Sequence, residues 1–182
     1  MEIEPIGFIQ TDFKEENSIL DLNEFPLLKK QLDVVDILCV SYGPFVQKPL
    51  HLTSAQDWNK LALYDYALAG IAVSSALPGM MERKNGRIIL FGGTRTENVR
   101  SYKTNAAYAG AKTAISVLVK SVSAEYRKYG ITCNAVLPGF VNGAKSQEDK
   151  VSALSVAQAA FSLIQNENLN GVLLNVDKGW QP

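Results

Sequence analysis

The chain alternates short, nearly continuous apolar runs with longer segments of helical periodicity. Apolar runs without polar alternation are typical of strands that are buried on both faces, as in a parallel sheet covered by helices. Such runs predict four strands and a weaker fifth: residues 37–40, 88–91, 131–137 and 172–176, with the weaker run at 6–9.

Helical segments of crossover length lie between these runs. One begins at Ser54, which has capping-box spacing with Asp57, and stops at Pro78; another covers 105–128 and stops at Gly130. A third covers 155–165, and a poorer one over 18–31 is interrupted by Pro26. The alternation predicts one α/β domain over residues 1–182, a Rossmann-like parallel sheet flanked by helices and shortened to about five strands.

Two of the predicted helices are apolar on more than one face. The helices over 54–77 and 105–128 carry Ala, Leu, Ile and Val most of the way around, whereas a surface helix shows one apolar stripe and a polar back. We therefore predict a homo-oligomer formed through these two helices across a two-fold axis, with Leu118 or Val122 at the interface.

Charge and composition remove several classes of partner. Lys+Arg and Asp+Glu both number 18, so the formal charge is zero, and no long basic run occurs. A nucleic-acid partner is therefore not expected, because phosphate binding needs a positive surface. The most apolar stretch, 67–81, is interrupted by Gly70, two serines, Pro78 and Gly79, so we expect no membrane span.

The cysteines, the histidine and the N-terminus indicate a compartment and exclude a metal. Cys39 and Cys133 each lie inside an apolar run, which predicts reduced core residues of a cytoplasmic protein. Acidic rather than basic residues precede the first apolar stretch, so no signal peptide is expected. The chain has a single histidine, His51, which leaves little from which to build a metal site, and we expect none.

The most informative chemical pair is Tyr108 with Lys112. At positions i and i+4 of a helix, the phenol and the ammonium share one face. A phenol titrates near 10, but an ammonium ~4 Å away could favour the phenolate by up to ~4 kcal/mol at an effective dielectric of ~20. The pair therefore predicts a proton donor or acceptor for a carbonyl or an alcohol.

The segments around this pair carry a resemblance to a known family. They are Asp36-Ile-Leu-Cys-Val-Ser-Tyr-Gly43, Gly86-Arg-Ile-Ile-Leu-Phe-Gly-Gly-Thr94, Tyr108-Ala-Gly-Ala-Lys112, Ile131-Thr-Cys-Asn-Ala-Val-Leu-Pro-Gly-Phe-Val141 and Asn170-Gly-Val-Leu-Leu-Asn-Val-Asp-Lys-Gly-Trp180. In this order and spacing the chain resembles the short-chain dehydrogenase/reductase family from about residue 6 to residue 180. The resemblance implies an oxidoreductase that uses NAD or NADP and acts on a carbonyl or alcohol substrate.

The resemblance also implies roles for particular residues. Tyr108 matches the catalytic tyrosine, and Lys112 matches the lysine that binds the nicotinamide ribose and lowers the pKa of the tyrosine. Asp12 matches an aspartate that contacts the adenine. The remaining matches at the cofactor site are Gly43, in the place of a glycine motif, and Asn134, Pro138 and Gly139, in the strand and turn that hold the nicotinamide.

The chain departs from the family pattern at several of these positions. Gly7 is the single glycine ahead of Gly43, so the glycine-rich phosphate loop is missing from this sequence. Asp65 stands in the place of the active-site asparagine, and its negative charge would raise the pKa of Tyr108. Gly93 stands in the place of the catalytic serine, and the Thr94 hydroxyl is the predicted substitute.

Two further departures shape the expected fold and binding. Residues 142–152 leave little room for a substrate-covering segment. Without the first two strands of the family's sheet, the run at 6–9 is expected to pair directly with the run at 37–40. We also expect no saturable dinucleotide binding below ~1 mM, because the pyrophosphate contacts are missing.

Two functions therefore stay open at the level of sequence. One is an active short-chain oxidoreductase with Tyr108, Lys112, Thr94 and Asp65 in the catalytic site. The other is a catalytically inactive relative that serves as an oligomeric scaffold or binding module. A shortened product of a longer reductase would join the two, and a glycine-rich strand-helix unit encoded in frame upstream of Met1 would reveal it.

Overall fold

Four parallel strands form a single sheet in the order β1-β2-β3-β4. The structure, a computed structural model, describes residues 26–141 and 150–180. The strands are β1 (Ile37–Val40), β2 (Gly86–Phe91), β3 (Ile131–Pro138) and β4 (Leu173–Val176). Each is parallel to its neighbour, which confirms the predicted α/β class and the sheet flanked by helices.

One helix precedes β1, and helical segments connect each strand to the next. The helices are α1 (Pro26–Val34), α2 (Ala55–Leu61), α3 (Leu68–Arg83), α4 (Ala106–Tyr126) and α5 (Ala153–Gln165). A π-helical turn, Ala62–Ala67, joins α2 to α3 without a break in the helical run. The predicted fifth strand at 6–9, and its pairing with β1, lie outside the described residues.

Helix ends follow local capping chemistry. The Ser54 side chain accepts from the Asp57 backbone N–H while the Asp57 carboxylate accepts from Ser54, so the predicted capping box is present. The α4 helix continues through a short 3₁₀ turn to Gly130, whose φ of 71° is the left-handed cap that the sequence predicts. The cap of α5 is Ser152, so this helix begins two residues before the predicted start at residue 155.

Pro26 begins a helix instead of interrupting one. It occupies the first residue of α1, where the missing N–H of proline would have no partner in any case. The prediction of an interrupted helix over 18–31 is therefore wrong from Pro26 onward.

Two apolar cores cover the two faces of the sheet. On one face α3 and α4 pack on the strands through residues such as Val73, Met80, Ile115 and Val119, all at most 1% exposed. On the other face α5 packs on Ile89 and Val136. The central strand β3 is buried along Ile131–Leu137, which explains why its sequence shows no polar alternation.

The described residues also bear on the membrane, metal and cysteine predictions. The helical run Ala55–Arg83 is long and apolar enough to cross a membrane by length and composition, which is weak evidence because core helices pass the same test. Within the described ranges, no group of three or more His, Cys, Asp or Glu could hold a metal ion. Both cysteines are free thiols, but Cys39 is exposed, so its placement in the core was wrong.

Candidate active site

The carboxyl ends of β1 and β2 bring together side chains from four segments of the chain. The loop after β1 supplies Gly43, the π-helical turn supplies Asp65, and the end of β2 supplies Gly93. Helix α4 supplies Tyr108 and Lys112 from its first two turns. In an open parallel sheet this edge is where ligands bind, because strand ends and helix starts converge there.

A buried ion pair lies at the centre of this cluster. Lys112 Nζ is 2.9 Å from Asp65 Oδ1, and the two side chains are only 8% and 0% exposed. Lys112 Nζ also donates a hydrogen bond of 3.1 Å to the carbonyl oxygen of Phe91, at the end of β2. Within the described ranges, neither carboxylate oxygen of Asp65 has a hydrogen-bond partner, and Oδ1 contacts the ammonium as an ion pair. The pair therefore leaves a buried carboxylate without a hydrogen-bond donor.

The buried Asp65 lies inside the π-helical turn. An α-helix advances 100° per residue, and a π turn inserts one extra residue, which rotates the side chains that follow it. Here the turn spans Ala62–Ala67, and Asp65 is the one residue in it that is buried. Burial raises the pKa of the Asp65 carboxyl, and the Lys112 ammonium opposes that rise.

Position 43, next to the ion pair, has room for glycine but not for a residue with a Cβ. A Cβ at Gly43 would collide with Asp65 Oδ1 and would lie 2.9 Å from Lys112 Nζ. The backbone after β1 therefore packs directly on the pair. The sequence match of Gly43 to a cofactor-binding glycine is explained here by contact with Asp65 itself.

Tyr108 lies one helical turn before Lys112, as predicted, but the ammonium does not act on it as expected. Lys112 Nζ is 5.9 Å from the centroid of the Tyr108 ring and is paired with Asp65. Burial, and after it the negative charge of Asp65, raise the pKa of Tyr108 well above its ordinary value. The prediction that Lys112 lowers this pKa was therefore wrong, whereas the predicted effect of Asp65 has the right sign.

An aromatic ring covers the other side of Tyr108. The rings of Phe45 and Tyr108 pack edge to face, with centroids 4.8 Å apart and planes at 78°. Phe45 is 57% exposed, so the contact lies at the surface of the site. The phenol is thus held between the buried pair and an exposed aromatic side chain.

Gly93 faces the phenol at the place where the resemblance has a serine. A Cβ at Gly93 would lie 3.5 Å from Tyr108 Cε1 and 3.4 Å from Lys112 Cβ. A side chain at this position would therefore point at the phenol. Glycine leaves that point without a hydroxyl group.

Thr94 does not replace the missing hydroxyl. Its Oγ1 donates a 2.7 Å hydrogen bond to Asp177 Oδ2, so its proton is committed away from Tyr108. Asp177 is 4% exposed and also pairs with Arg95 Nε at 2.8 Å. The prediction of Thr94 as a catalytic hydroxyl is therefore corrected to a structural one, which fastens the loop after β2 to the segment after β4.

Asp177 was not identified from the sequence as part of the site. It follows β4 directly and accepts a hydrogen bond from the backbone N–H of Gly179, whose φ is 75°. An acid two residues before a glycine is the available signal for such a turn. The signal predicts the turn but not the partners Thr94 and Arg95, which are distant in sequence.

Asn134 has a structural role rather than the predicted contact with nicotinamide. It is fully buried within β3; its Nδ2 donates to Leu169 O and its Oδ1 accepts from Val172 N, both at 2.8 Å. Both ends of the amide are occupied by the segment that leads into β4. Asn134 is therefore removed from the candidate cofactor contacts.

Two other predicted cofactor residues lie at the carboxyl end of β3. Pro138 ends the strand, and the Gly139 backbone N–H donates a 2.9 Å hydrogen bond to Val176 O. A Cβ at Gly139 would lie 3.1 Å from Asp177 Cα, so glycine permits a close approach to the end of β4. Asp12, predicted to contact the adenine, lies outside the described residues.

Comparison with known proteins identifies the family and the fold. The family model described as short chain dehydrogenase matches residues 2–154, and the chain belongs to that family. A short chain dehydrogenase/reductase family protein of known structure superposes with a TM-score of 0.77 at 22% identity, covering 87% of this chain and 72% of that one. Acetoin dehydrogenase YohF from Salmonella typhimurium gives a TM-score of 0.73 at 23% identity, covering 86% of this chain and 69% of that one.

The relatives found by sequence have the names of oxidoreductases, and one of these names includes the word "Inactive". An "Inactive 2-(S)-hydroxypropyl-CoM dehydrogenase 2" from Xanthobacter autotrophicus is 34% identical over 92 residues, covering 50% of this chain and 39% of that protein. A "Dehydrogenase/reductase SDR family member 6" from Rattus norvegicus is 24% identical over 170 residues, covering 93% and 67%. The chain thus spans well under half the length of the first of these relatives.

The family generally uses NAD or NADP, and part of the described site fits such a cofactor. The ammonium of Lys112 has three N–H groups, and contacts to Asp65 and to Phe91 O use two of them. Asp65 Oδ2 is a buried acceptor without a partner among the described residues. The third N–H of Lys112 is therefore left for a hydroxyl of the nicotinamide ribose, whereas the Asp65 carboxylate is enclosed and does not face a ligand.

Proposed function

We propose that the chain is a nicotinamide-dependent oxidoreductase that reduces a carbonyl substrate, with Tyr108 as the proton donor. The observation that carries the proposal is the phenol of Tyr108, held beside the buried Lys112–Asp65 pair at the carboxyl edge of the sheet. The dinucleotide, either NADH or NADPH, supplies the hydride when bound. Lys112 would hold its ribose.

The chain's own residues support proton donation rather than proton abstraction at neutral pH. With its pKa raised by burial and by Asp65, Tyr108 carries its proton throughout the physiological range. Phe45 packs against one side of the ring and limits its rotation. A carbonyl oxygen approaching from the exposed side therefore meets a fixed O–H donor.

A second candidate function is a family member that binds but does not turn over. Gly93 offers no hydroxyl to the substrate, and the Thr94 hydroxyl is bonded to Asp177. The name of one relative, "Inactive 2-(S)-hydroxypropyl-CoM dehydrogenase 2", also supports this alternative. This alternative predicts ligand binding at the site without oxidation of the reduced cofactor.

Replacing Tyr108 with phenylalanine tests the proposed function. Because a positioned proton donor contributes about 10²–10⁴-fold to a rate, Tyr108→Phe should lower carbonyl-dependent oxidation of NADH or NADPH by that factor. The rate is followed as absorbance loss with millimolar cofactor and a panel of aldehydes and ketones. Tyr126→Phe, at the far end of the same helix, is the matched control and should keep full activity. Equal activity in the two variants would contradict the role of Tyr108.

We also propose that the protein is cytoplasmic and that the helices over 54–77 and 105–128 form a homo-oligomeric interface. The earlier choice of Leu118 or Val122 is corrected, because Val122 is 5% exposed and Leu118 packs against the core. The outward residue of that turn is Val117, which is 62% exposed. A Cβ at Gly110, on the same helix, would meet no atom within 4 Å.

A charge on this outer face should dissociate the oligomer. Val117→Glu should yield a species of monomer mass by light scattering, because it places an unpaired charge in an apolar interface. Leu154→Glu is the matched control, since Leu154 is an equally exposed apolar residue (67%) on α5. A monomeric parent protein, or an oligomer that survives Val117→Glu, would refute this interface.

A further inference from the structure

Asp65 and Lys112 form a closed electrostatic unit directly behind Tyr108. The carboxylate and the ammonium are 2.9 Å apart, and both side chains are at least nine-tenths buried. Gly43 and the carbonyl of Phe91 complete the enclosure from two strand ends. Water screens such a pair little, so its net charge is what Tyr108 experiences.

We propose that Asp65 is a positioning residue for Tyr108: by pairing with Lys112 it cancels the ammonium charge that would otherwise stabilise the phenolate, and so keeps Tyr108 in its proton-donor form. The inference rests on the proposed function for its consequence in catalysis. Its electrostatic content concerns the folded chain alone and can be measured without substrate or cofactor.

The geometry favours this role over a purely structural one. Lys112 Nζ lies 5.9 Å from the centroid of the Tyr108 ring, a distance at which an unpaired ammonium would act strongly on a phenolate. Asp65 Oδ1 lies 2.9 Å from the same ammonium, half its distance from the ring, and offsets its charge. Tyr108 therefore lies beside an ion pair that includes the Asp65 carboxylate, not beside an unpaired ammonium.

Few other charges enter the balance. Within residues 26–141 and 150–180, the charge that acts on Tyr108 is that of Asp65, and the charge that acts on Asp65 is that of Lys112 on α4. From the end of β2 the contact is a neutral carbonyl, that of Phe91, and from the loop after β1 it is Gly43. Removing the charge of Asp65 should therefore change the titration of Tyr108 directly.

The experiment is a titration of tyrosine ring carbons by NMR in protein labelled with ¹³C at tyrosine Cζ. Tyr108→Phe assigns the Tyr108 resonance, and circular dichroism at each pH confirms that the chain is folded. Asp65→Asn should lower the pH at which Tyr108 ionises by more than about one unit relative to the parent. Asp36→Asn removes an exposed carboxylate just before β1, at the end of the strand opposite the site, and should leave the resonance unchanged.

A neutralised pair provides a second variant in case Asp65→Asn fails to fold. Asp65→Asn/Lys112→Met leaves no buried charge, and Tyr108 should then ionise below the parent and above Asp65→Asn. A Tyr108 titration that is identical in the parent and in these variants overturns the inference. If the titration shifts but neither the parent nor any variant oxidises NADH or NADPH, the proposed function fails while the role of Asp65 stands. If activity depends on Tyr108 but its titration does not shift, the proposed function stands and the role of Asp65 fails.

Discussion

Replacing Lys112 with methionine should lower the free energy of unfolding by about 3–5 kcal/mol. The substitution leaves the Asp65 carboxylate buried without its counter-ion, and breaking one side of a buried pair costs this much. Both members of the pair are nearly inaccessible to solvent, so water cannot replace the lost ammonium. Chemical denaturation followed by circular dichroism measures the change.

Two companion variants separate the effect of the unpaired charge from the effect of replacing a lysine side chain on α4. Lys120→Met is the matched control, because Lys120 lies on the same helix and its ammonium donates to a neutral group, the carbonyl of Gly171. Adding Asp65→Asn to Lys112→Met should restore most of the lost stability, since no buried charge then lacks a partner. A loss below about 1 kcal/mol for Lys112→Met would show that Asp65 is hydrated in solution.

The fold was largely predictable because its signal is local. Four continuous apolar runs became the four parallel strands, and Ser54 and Gly130 marked helix ends through capping chemistry that acts over a few residues. The errors were local as well. Pro26 starts a helix where an interruption was expected, and Cys39 is exposed on β1, an outer strand of the described sheet.

The site was predictable in its members and not in its electrostatics. Spacing on one helix predicted that Tyr108 and Lys112 share a face, and they do. The spacing of residues on α4 gives no information about charged residues on other helical segments. Asp65 lies in the π-helical turn and forms an ion pair with Lys112. The pKa of Tyr108 is therefore raised rather than lowered.

Hydrogen-bond partners distant in sequence explain the remaining corrections. Thr94 carries a hydroxyl at a suitable position, but its proton goes to Asp177 beyond β4. Asn134 lies in a segment that matches the family, yet its amide holds the chain between α5 and β4. Side chains of this kind carry the same sequence signal whether they bind a ligand or the protein's own backbone.

Titration of the 182-residue chain with NADH or NADPH should show no saturation below about 1 mM. The nicotinamide-ribose half has a partner in Lys112, whereas the sequence carries one glycine, Gly7, ahead of Gly43 and so has no glycine-rich loop for the pyrophosphate. Hydrogen bonds to charged oxygens contribute roughly 1.5–3 kcal/mol each, and losing two or three costs about 3–9 kcal/mol. That corresponds to a weakening of about a hundredfold to a millionfold.

Calorimetry and cofactor fluorescence measure this affinity, and the choice of ligand locates the missing contacts. Nicotinamide mononucleotide in its reduced form lacks the adenylate half, so its affinity should be within about threefold of that of the whole dinucleotide if the adenylate half finds no partners. Lys112→Met/Asp65→Asn should weaken both ligands equally, because each would lose the same ribose contact. A micromolar affinity for NADH or NADPH, with the mononucleotide far weaker, would contradict the prediction and would mean that a second copy of the chain or residues 1–25 supply the pyrophosphate contacts.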